Sequence, residues 1–368
     1  MAYPHTLDDL LIATVEKGAS DLHLVVGGPP MMRHNGVLQP VVEEKISPED
    51  CQALLTAILT KDQVDLLNSN REIDFAYAMI GVARFRVNAC FERGSVSATF
   101  RNIPDTPPWL EELGFSPVLG QMTQRARGLV LVTGPTGSGK STTLAAMINY
   151  MNRNRNSRVV TIEDPIEFLH SNIQCIITQR EVGRDTHSFS AALRSALRQD
   201  PDVILVGEMR DLETIALALT AAETGHLVFG TLHVTSAAES INRIIDVFPP
   251  EQQEQIRLQL AGVLEAVFTQ TLVPKKDGTG RICAMEILIG TSAIRNLIRE
   301  NKPSQIMSMM QTGQNVGMQT LDKQLSRFVN DGMITLDAAI EKAISPEDLK
   351  RYVTSKDEAP APRRASSF

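Results

Sequence analysis

Apolar and polar residues follow two different patterns along the chain. In the first hundred residues the runs are short: helical spacing covers 7–17 and 49–59, and alternation over 21–26, 75–78 and 83–87 is typical of strands. Asn35-Gly36 between apolar flanks predicts a tight hairpin. This region is therefore predicted to be a separate α+β unit.

A second pattern begins at residue 128, where longer apolar runs alternate with helical segments. The runs at 128–133, 159–162, 173–178, 203–206 and 227–231 are rich in β-branched residues, as buried strands are. Strands that alternate with helices up to residue 289 predict a parallel sheet covered by helices. The pattern beyond residue 289 is mostly helical.

Two segments lack these patterns. Residues 102–108 contain three prolines, which interrupt both regular structures and favour an extended linker, and hence a hinge between two domains. Residues 355–368 contain little apolar mass, and we expect them to be disordered.

A glycine-rich run directly follows the first long strand. It reads Gly134, Pro135, Thr136, Gly137, Ser138, Gly139, Lys140, Ser141, Thr142. Its glycines allow successive backbone N–H groups to surround a phosphate, its lysine adds a positive charge, and the hydroxyl of Ser141 is placed to reach Mg²⁺. Because a helical pattern follows, the run predicts a site for a nucleoside triphosphate at a helix N-terminus.

Acidic residues stand at the ends of two other predicted strands. Glu208 follows the strand 203–206, and Glu163 and Glu167 follow the strand 159–162. Carboxylates at the carboxyl ends of parallel strands suit a metal site or a base that orients water, although such residues also cap helices. The residues alone do not choose between Glu163 and Glu167 as the base.

Histidines and arginines supply further candidates. His226 and His233 stand at opposite ends of the apolar run 227–232, and the second is placed to sense a γ-phosphate, unless both are structural. Arg86, Arg101 and Arg127 stand in or beside strands, where they are either solvated surface groups or donors to phosphate from another domain or subunit.

Composition narrows the classes of partner. The chain has 368 residues, a net charge of −7 and 5% aromatic residues, which argues against a broad nucleic-acid surface. Its four cysteines are far apart, so we expect reduced thiols and no zinc knuckle. The chain shows neither a membrane span nor a signal peptide, and we expect a cytoplasmic protein.

Four longer segments resemble those of a known family. Residues 161–167 resemble its acidic box, 200–211 its atypical Walker B segment, and 225–233 its histidine box. The fourth segment, over 293–300, is similar to the segment that marks the retraction ATPases of this family. It contains Ala293, Ile294, Arg295, Leu297, Ile298, Arg299 and Glu300. On these motifs the chain is identified as a member of the type II and type IV secretion ATPases, in the branch of the PilT-type ATPases of type IV pilus retraction.

The resemblance implies an α/β fold with several parts. It implies a PAS-like α+β domain over 1–101, a linker over 102–117 and a RecA-like P-loop ATPase domain over 118–290. A helical C-terminal region over 291–354 and the disordered tail complete the expected organisation. Six copies are expected to form a ring.

The resemblance also assigns roles at the site. Lys140 and Ser141 would hold ATP phosphates and Mg²⁺, Glu208 would support the metal and water, and Glu167 or Glu163 would be the catalytic carboxylate. Glu167 is favoured only by its place in the family pattern.

Five more residues receive roles by the same resemblance. His233 would sense the γ-phosphate, and His226 is grouped with it among the catalytic residues. Arg86, Arg101 and Arg127 would supply positive charge across the site from another domain or subunit.

The expected function is a hexameric ATPase that powers pilus retraction and twitching motility. It would act at the cytoplasmic face of the inner membrane through the pilus platform protein, and a paralogous retraction ATPase is a further expected partner. The alternatives are an accessory PilU-like retraction ATPase, a RecA-like nucleic-acid translocase and a non-catalytic nucleotide-dependent scaffold.

Overall fold

The structure is a computed structural model that describes residues 3–34, 36–79, 81–103 and 106–353. The expected tail, and Pro104 and Asp105 of the proline-rich segment, lie outside the described residues. The chain divides into two compact units, of which the first contains Met1–Pro107 and Pro165–His170 and the second contains Pro108–Asp164 and Ser171–Phe368. This division differs from the expected bounds because a short segment after residue 164 groups with the first unit.

In its described residues, the first unit contains one six-stranded antiparallel sheet and three helices. Its elements are α1 (Leu7–Glu16), β1 (Asp21–Leu24), β2 (Met31–His34), β3 (Val37–Pro40), α2 (Pro48–Thr56), α3 (Lys61–Asn70), β4 (Glu72–Met79), β5 (Ala83–Glu92) and β6 (Ser95–Ile103). The strand order is β3-β2-β1-β6-β5-β4. Each helix begins with a capping box, in which Thr6, Ser47 or Thr60 accepts a hydrogen bond from the third helical N–H.

Alternate side chains along β5 face the core and the solvent, as predicted. Phe85 and Val87 of β5 are fully buried, whereas Arg86 between them is exposed. The predicted hairpin is confirmed because β2 and β3 pair antiparallel, with His34 opposite Val37. Helix α3 and strand β6 were not predicted; α3 is polar and buries only one residue fully, so its pattern carries little periodic signal.

The second unit contains a seven-stranded sheet. Its strands are β7 (Gly128–Thr133), β8 (Arg158–Glu163), β9 (Ile176–Glu181), β10 (Val203–Val206), β11 (Leu227–Leu232), β12 (Leu264–Pro274) and β13 (Arg281–Ile289). They stand in the order β13-β12-β7-β11-β10-β8-β9. The central strands β7, β10 and β11 are buried at every position, which explains their continuous apolar runs.

The prediction of a wholly parallel sheet is wrong at one edge. Strand β13 runs antiparallel to β12, with Ala266 opposite Ile289, while all other neighbours in the sheet are parallel. Only residues 275–280 connect the two strands, and a connection this short allows antiparallel pairing alone. The predicted strand at 173–178 lies three residues later, as β9.

Helices cover this sheet and continue to the end of the described chain. They are α4 (Val118–Thr123), α5 (Lys140–Asn154), α6 (Phe189–Ala196), α7 (Leu212–Glu223), α8 (Ala237–Asp246), α9 (Pro250–Val263), α10 (Ser292–Arg299), α11 (Ile306–Thr312), α12 (Leu321–Asn330), α13 (Leu336–Lys342) and α14 (Pro346–Tyr352). The region after residue 290 is helical, as predicted, and it belongs to the second compact unit. Among the described residues, no helix has both the length and the apolar character needed to cross a bilayer.

A buried carboxyl group on β13 supports the start of α8. Glu286 is 1% exposed, and its Oε1 accepts a hydrogen bond from the N–H of Ala237 at 2.7 Å. Burial raises the pKa of Glu286 to about 7, from an ordinary value of 4.5. The folded protein therefore holds this proton at pH values where the unfolded chain has lost it.

We expect this group to make stability fall as the pH rises. Between pH 4.5 and about 7 the unfolded chain has released the Glu286 proton and the folded chain has not, so unfolding becomes easier by up to about 3 kcal/mol. Above pH 7 this contribution is constant. Urea unfolding midpoints of wild type and Glu286→Gln, measured from pH 5 to 8, test the prediction.

The variant keeps an acceptor for Ala237 but has no proton to lose, so its midpoint should fall less over this pH range. Glu254→Gln, which changes an exposed residue of α9, is the matched control and should retain the wild-type slope. Equal slopes in wild type and Glu286→Gln would contradict the prediction.

Candidate functional site

The order of the strands gathers four chain segments at one edge of the second sheet. Strands β7, β11, β10 and β8 are parallel neighbours, so their carboxyl ends lie side by side. The residues that follow or end these strands are Gly134, His233, Gly207-Glu208 and Glu163. This is the edge at which open α/β sheets bind ligands.

The glycine-rich run forms the loop between β7 and α5. Gly134 has φ +140°, and a Cβ built on it would lie 2.3 Å from the carbonyl oxygen of Gln270. Gly139, at φ +90°, adopts a left-handed conformation immediately before the first helical residue, Lys140. Both positions require glycine, and the helix N-terminus presents backbone N–H groups to the loop.

Lys140 lies folded within this loop. It is 9% exposed, and its Nζ donates hydrogen bonds to the carbonyl oxygens of Gly134 and Pro135 at 2.9 and 3.1 Å. Ser141 and Thr142 follow it in the first turn of α5, where both are partly exposed. The ammonium group is therefore held at the loop, where an anionic ligand would replace its carbonyl partners.

Glu208 has two basic neighbours, Arg210 and His233. Its Oε1 accepts a hydrogen bond from Nε of Arg210, and the same oxygen lies 3.2 Å from Nε2 of His233. Partial burial alone would raise the pKa of Glu208, but the hydrogen bond from Arg210 and the charges of His233 and Arg210 hold that pKa below its usual value. Glu208 is therefore an ionised carboxylate at neutral pH.

His233 connects the phosphate loop to this carboxylate. Its Nδ1 lies 3.5 Å from the hydroxyl oxygen of Thr136, at the outer limit of a hydrogen bond, and its other ring nitrogen faces Glu208. The imidazole side chain is 39% exposed. One exposed side chain thus touches both the loop and the acidic strand end.

Glu163 ends β8 beside the segment that leads to Glu208. Its Oε1 accepts hydrogen bonds from the hydroxyl of Thr161 at 2.6 Å and from Nε2 of Gln179 at 3.1 Å. The carbonyl of Ile162 accepts from the N–H of Gly207 at 2.7 Å, and a Cβ on that glycine would lie 3.2 Å from Cα of Glu163. The two acidic segments are therefore in direct backbone contact.

The two candidate catalytic carboxylates fall in different units. Glu163 belongs to the second unit with the phosphate loop, whereas Glu167 lies in the segment Pro165–His170 of the first unit. Glu167 is exposed. Within the second unit, Glu163 is the candidate that the sheet places beside Glu208.

Two predicted residues lie at the opposite edge of the sheet. His226 precedes β11 and Arg127 precedes β7, so each is a full strand of six residues, about 20 Å, from the phosphate loop of its own chain. Nδ1 of His226 lies 2.9 Å from the carbonyl oxygen of Ala221. The structure does not bring these two side chains to the loop within one chain.

Arg86 and Arg101 stand directly opposite each other on β5 and β6 of the first unit. Nε of Arg101 donates to Oδ1 of Asp21 at 2.9 Å, and both arginines are exposed. Partial burial opposes ionisation of Asp21, but hydrogen bonds from Ser20 and Arg101 keep its pKa below normal. Two adjacent guanidinium groups with one carboxylate leave a net positive pair on this face.

The motif over 293–300 forms α10 with Glu300 at its C-cap. Ile294 and Ile298 are buried, as predicted for an amphipathic helix, while Ala293, Arg299 and Glu300 are exposed. Leu297 is partly buried and packs against the core of the second unit.

Arg295 anchors this helix to the sheet. Its guanidinium group donates to the carbonyls of Gly290 and Gly262 at 2.7 and 2.9 Å, and to Oε1 of Glu265 at 2.6 Å. The motif therefore has one anchored side and one exposed side.

Three residues at the site were not singled out in the sequence analysis. Gln270 and Gln179 contact the loop and Glu163 from other strands, and no local pattern marks them. Arg210 was present in the Walker B-like segment without a separate role, whereas Thr136 was predicted to bind the nucleotide as part of the loop. The contacts of the two glutamines are visible only in the folded chain. The Arg210 contact could have been predicted, because Arg210 lies two residues after Glu208.

The donors present fit a nucleotide and a hard cation. The loop offers backbone N–H groups and the Lys140 ammonium for phosphate, which are the groups that phosphate loops use. Ser141 provides a hydroxyl and Glu208 an ionised carboxylate, and such oxygen ligands suit Mg²⁺.

The chain is similar to known proteins of type IV pili and of secretion systems. A profile described as type II/IV secretion system protein matches residues 3–341. The type IV pilus retraction ATPase PilT of Pseudomonas aeruginosa is 53% identical over 93% of this chain and 99% of its own. The type IV pilus ATPase PilU of the same organism is 40% identical over 98% of this chain and 94% of its own.

A solved structure extends the comparison to the fold. The crystal structure of the pilus retraction motor PilT with bound ADP superposes with a TM-score of 0.89 at 45% identity, and the match covers 94% of this chain and 99% of that one. The chain therefore belongs to the type II/IV secretion system protein family, and within it to the ATPases of the PilT type.

Proposed function

We propose that this chain is the motor ATPase of type IV pilus retraction and so drives twitching motility. The observation that carries the proposal is the position of His233, between Thr136 of the phosphate loop and the Glu208 carboxylate. A group there can register the terminal phosphate of ATP and transmit its loss to the acidic strand end. The retraction function is supported by the 53% identity to PilT.

The roles follow from the groups at the sheet edge. Lys140 and the loop N–H groups bind the phosphates, and Ser141 and Glu208 are the ligands proposed for Mg²⁺ and its water. The metal supplies charge neutralisation when it is bound. Glu163 ends β8 at this edge and is proposed to orient the attacking water, and Glu167 remains the alternative.

Arg86, Arg101 and Arg127 are proposed to act on the site of another subunit. Arg127 lies at the wrong edge of its own sheet for its own phosphate loop, so only a neighbouring chain can bring it near one. Arg86 and Arg101 form an adjacent positive pair suited to phosphate oxygens. A site shared between chains requires an oligomer, which we propose to be a homohexamer. His226 likewise lies at the sheet edge away from its own loop.

The expected location is the cytoplasmic face of the inner membrane, through the pilus platform protein. The exposed side of α10, with Arg299 and Glu300, is proposed as the contact that distinguishes retraction, because its opposite side is committed to packing. A paralogous retraction ATPase is the other proposed partner.

Imaging labelled pili tests the function. In a strain that lacks the gene, complementation with wild type should restore retraction, whereas Glu208→Gln should leave pili that extend and do not withdraw. Glu254→Gln, an exposed change on α9, is the matched control and should restore retraction. Normal withdrawal in the deletion strain would overturn the proposal.

Rescue experiments and ATPase assays separate the alternative functions. Rescue of a strain that lacks its principal retraction ATPase distinguishes a principal motor from a PilU-like accessory one, for which rescue fails. ATP hydrolysis that DNA stimulates in a salt-dependent way would instead indicate a nucleic-acid translocase. Nucleotide binding without turnover would indicate a scaffold.

A further inference from the structure

One buried residue from a distant strand holds the phosphate loop. Gln270 of β12 is 2% exposed, and its Nε2 donates a hydrogen bond to the carbonyl oxygen of Ser138 at 2.6 Å. The two residues are 132 positions apart in the chain. The contact exists because β12 pairs with β7 up to Thr269 and Thr133, which places Gln270 beside the start of the loop.

This hydrogen bond determines how one peptide group is oriented. In a trans peptide the carbonyl of Ser138 and the N–H of Gly139 point in opposite directions. The amide of Gln270 holds the carbonyl on the β12 side, so the N–H points away from β12. Gly139, at φ +90°, is free to adopt other conformations, so its peptide needs an external contact to keep this orientation.

Gln270 also lies close to other residues of the phosphate loop. The backbone carbonyl of Gln270 lies where a Cβ on Gly134 would clash, and its Nε2 lies 3.2 Å from where a Cβ on Gly139 would be. Oε1 of Gln270 and Oγ of Ser138 are buried without a hydrogen-bond partner in the described part of the chain. Unsatisfied buried groups are costly to keep, and these two stand beside the loop.

We propose that Gln270 is a positioning residue for ATP binding, which presents the N–H of Gly139 to the phosphates by holding the Ser138 carbonyl. The inference rests on the proposed ATPase function of this loop. The N–H contact is made to bound ATP before as well as during the reaction, so its loss should weaken substrate binding more than it slows chemistry.

Gln270→Met is the primary test because methionine is similar in size and lacks the donor. The KM for ATP should rise roughly tenfold, the effect of one lost hydrogen bond to an orienting group, while kcat changes less than about threefold. Gln259→Met, at a partly exposed glutamine of α9 that contacts Glu223, is the matched control and should leave both constants unchanged.

Gln270→Glu provides a second test, in which the pH dependence of KM is measured. A purely structural role of Gln270 would not change this dependence. As a carboxylate it repels the Ser138 carbonyl, but once protonated it can donate an O–H to that oxygen. Burial raises a carboxyl pKa, so KM of this variant should recover towards wild type as the pH falls from 8 to 6, and KM of Gln270→Met should not.

The outcomes are distinguishable. An unchanged KM in Gln270→Met overturns the inference while wild-type hydrolysis leaves the proposed function standing. A lowered kcat and thermal midpoint at constant KM assigns Gln270 a structural role and also overturns it. Absence of hydrolysis by wild type contradicts the proposed function itself.

Discussion

Replacing Lys140 with alanine is expected to lower ATP hydrolysis by at least about 100-fold, because the ammonium group is the positive charge built into the phosphate loop. In the structure its Nζ is held by the carbonyls of Gly134 and Pro135, within the loop itself. Alanine removes the charge without replacing the backbone donors. The rate of phosphate release by the purified protein measures the effect.

Thermal unfolding with and without nucleotide distinguishes lost binding from lost folding. A ligand that binds only the folded state raises the midpoint, so wild type should be stabilised by ATP and Lys140→Ala should not be. Lys276→Ala, which removes an exposed lysine after β12, is the matched control and should behave as wild type. Hydrolysis by Lys140→Ala within tenfold of wild type would contradict the assignment.

Glu208→Gln is expected to separate binding from turnover. Glutamine has the shape of glutamate but not its charge, and the low pKa of Glu208 means that the wild-type group is ionised at neutral pH. Removing the charge should reduce turnover by about 100-fold or more and increase the Mg²⁺ concentration needed for half-maximal activity. The nucleotide-induced rise in thermal midpoint should persist, because the phosphate loop is unchanged.

Titration of ATPase activity with Mg²⁺ measures both effects at once. Glu254→Gln is again the matched control, since it removes one carboxylate from an exposed position on α9. If Glu208→Gln turns over within threefold of wild type at saturating Mg²⁺, Glu208 has no role in the reaction. If Glu208→Gln loses both turnover and the nucleotide-induced stabilisation, Glu208 contributes to nucleotide binding instead.

The phosphate loop could be predicted more fully from the sequence than the group of residues at the strand ends. The phosphate loop was predictable because its requirements are local: glycine conformations, a lysine and the helix that follows are all contiguous in the chain. The carboxyl-end positions of Glu208, Glu163 and His233 were predictable because each directly follows or ends an apolar run. Whether these residues contact one another depends on the order of the strands in the sheet, and the spacing of apolar residues does not predict that order.

The remaining contacts required the folded chain. His233 reaches Glu208 because β11 and β10 are neighbours, and Arg295 reaches Glu265 because α10 returns to the start of β12. The antiparallel edge strand was missed because its apolar run is similar to that of a parallel strand, and only the short connection decides its direction.

The sequence by itself determined the ligand class, through the run Gly134 to Thr142, and the helix and strand content of most of the chain. It also identified the family, through motifs whose residues are adjacent. Only the tertiary structure decided that Glu163 stands in the unit of the phosphate loop while Glu167 does not. It likewise revealed Gln270, 132 residues from the carbonyl it binds. The physical reason is that local patterns record burial and backbone geometry, whereas contacts between distant residues arise from the order and register in which strands pair.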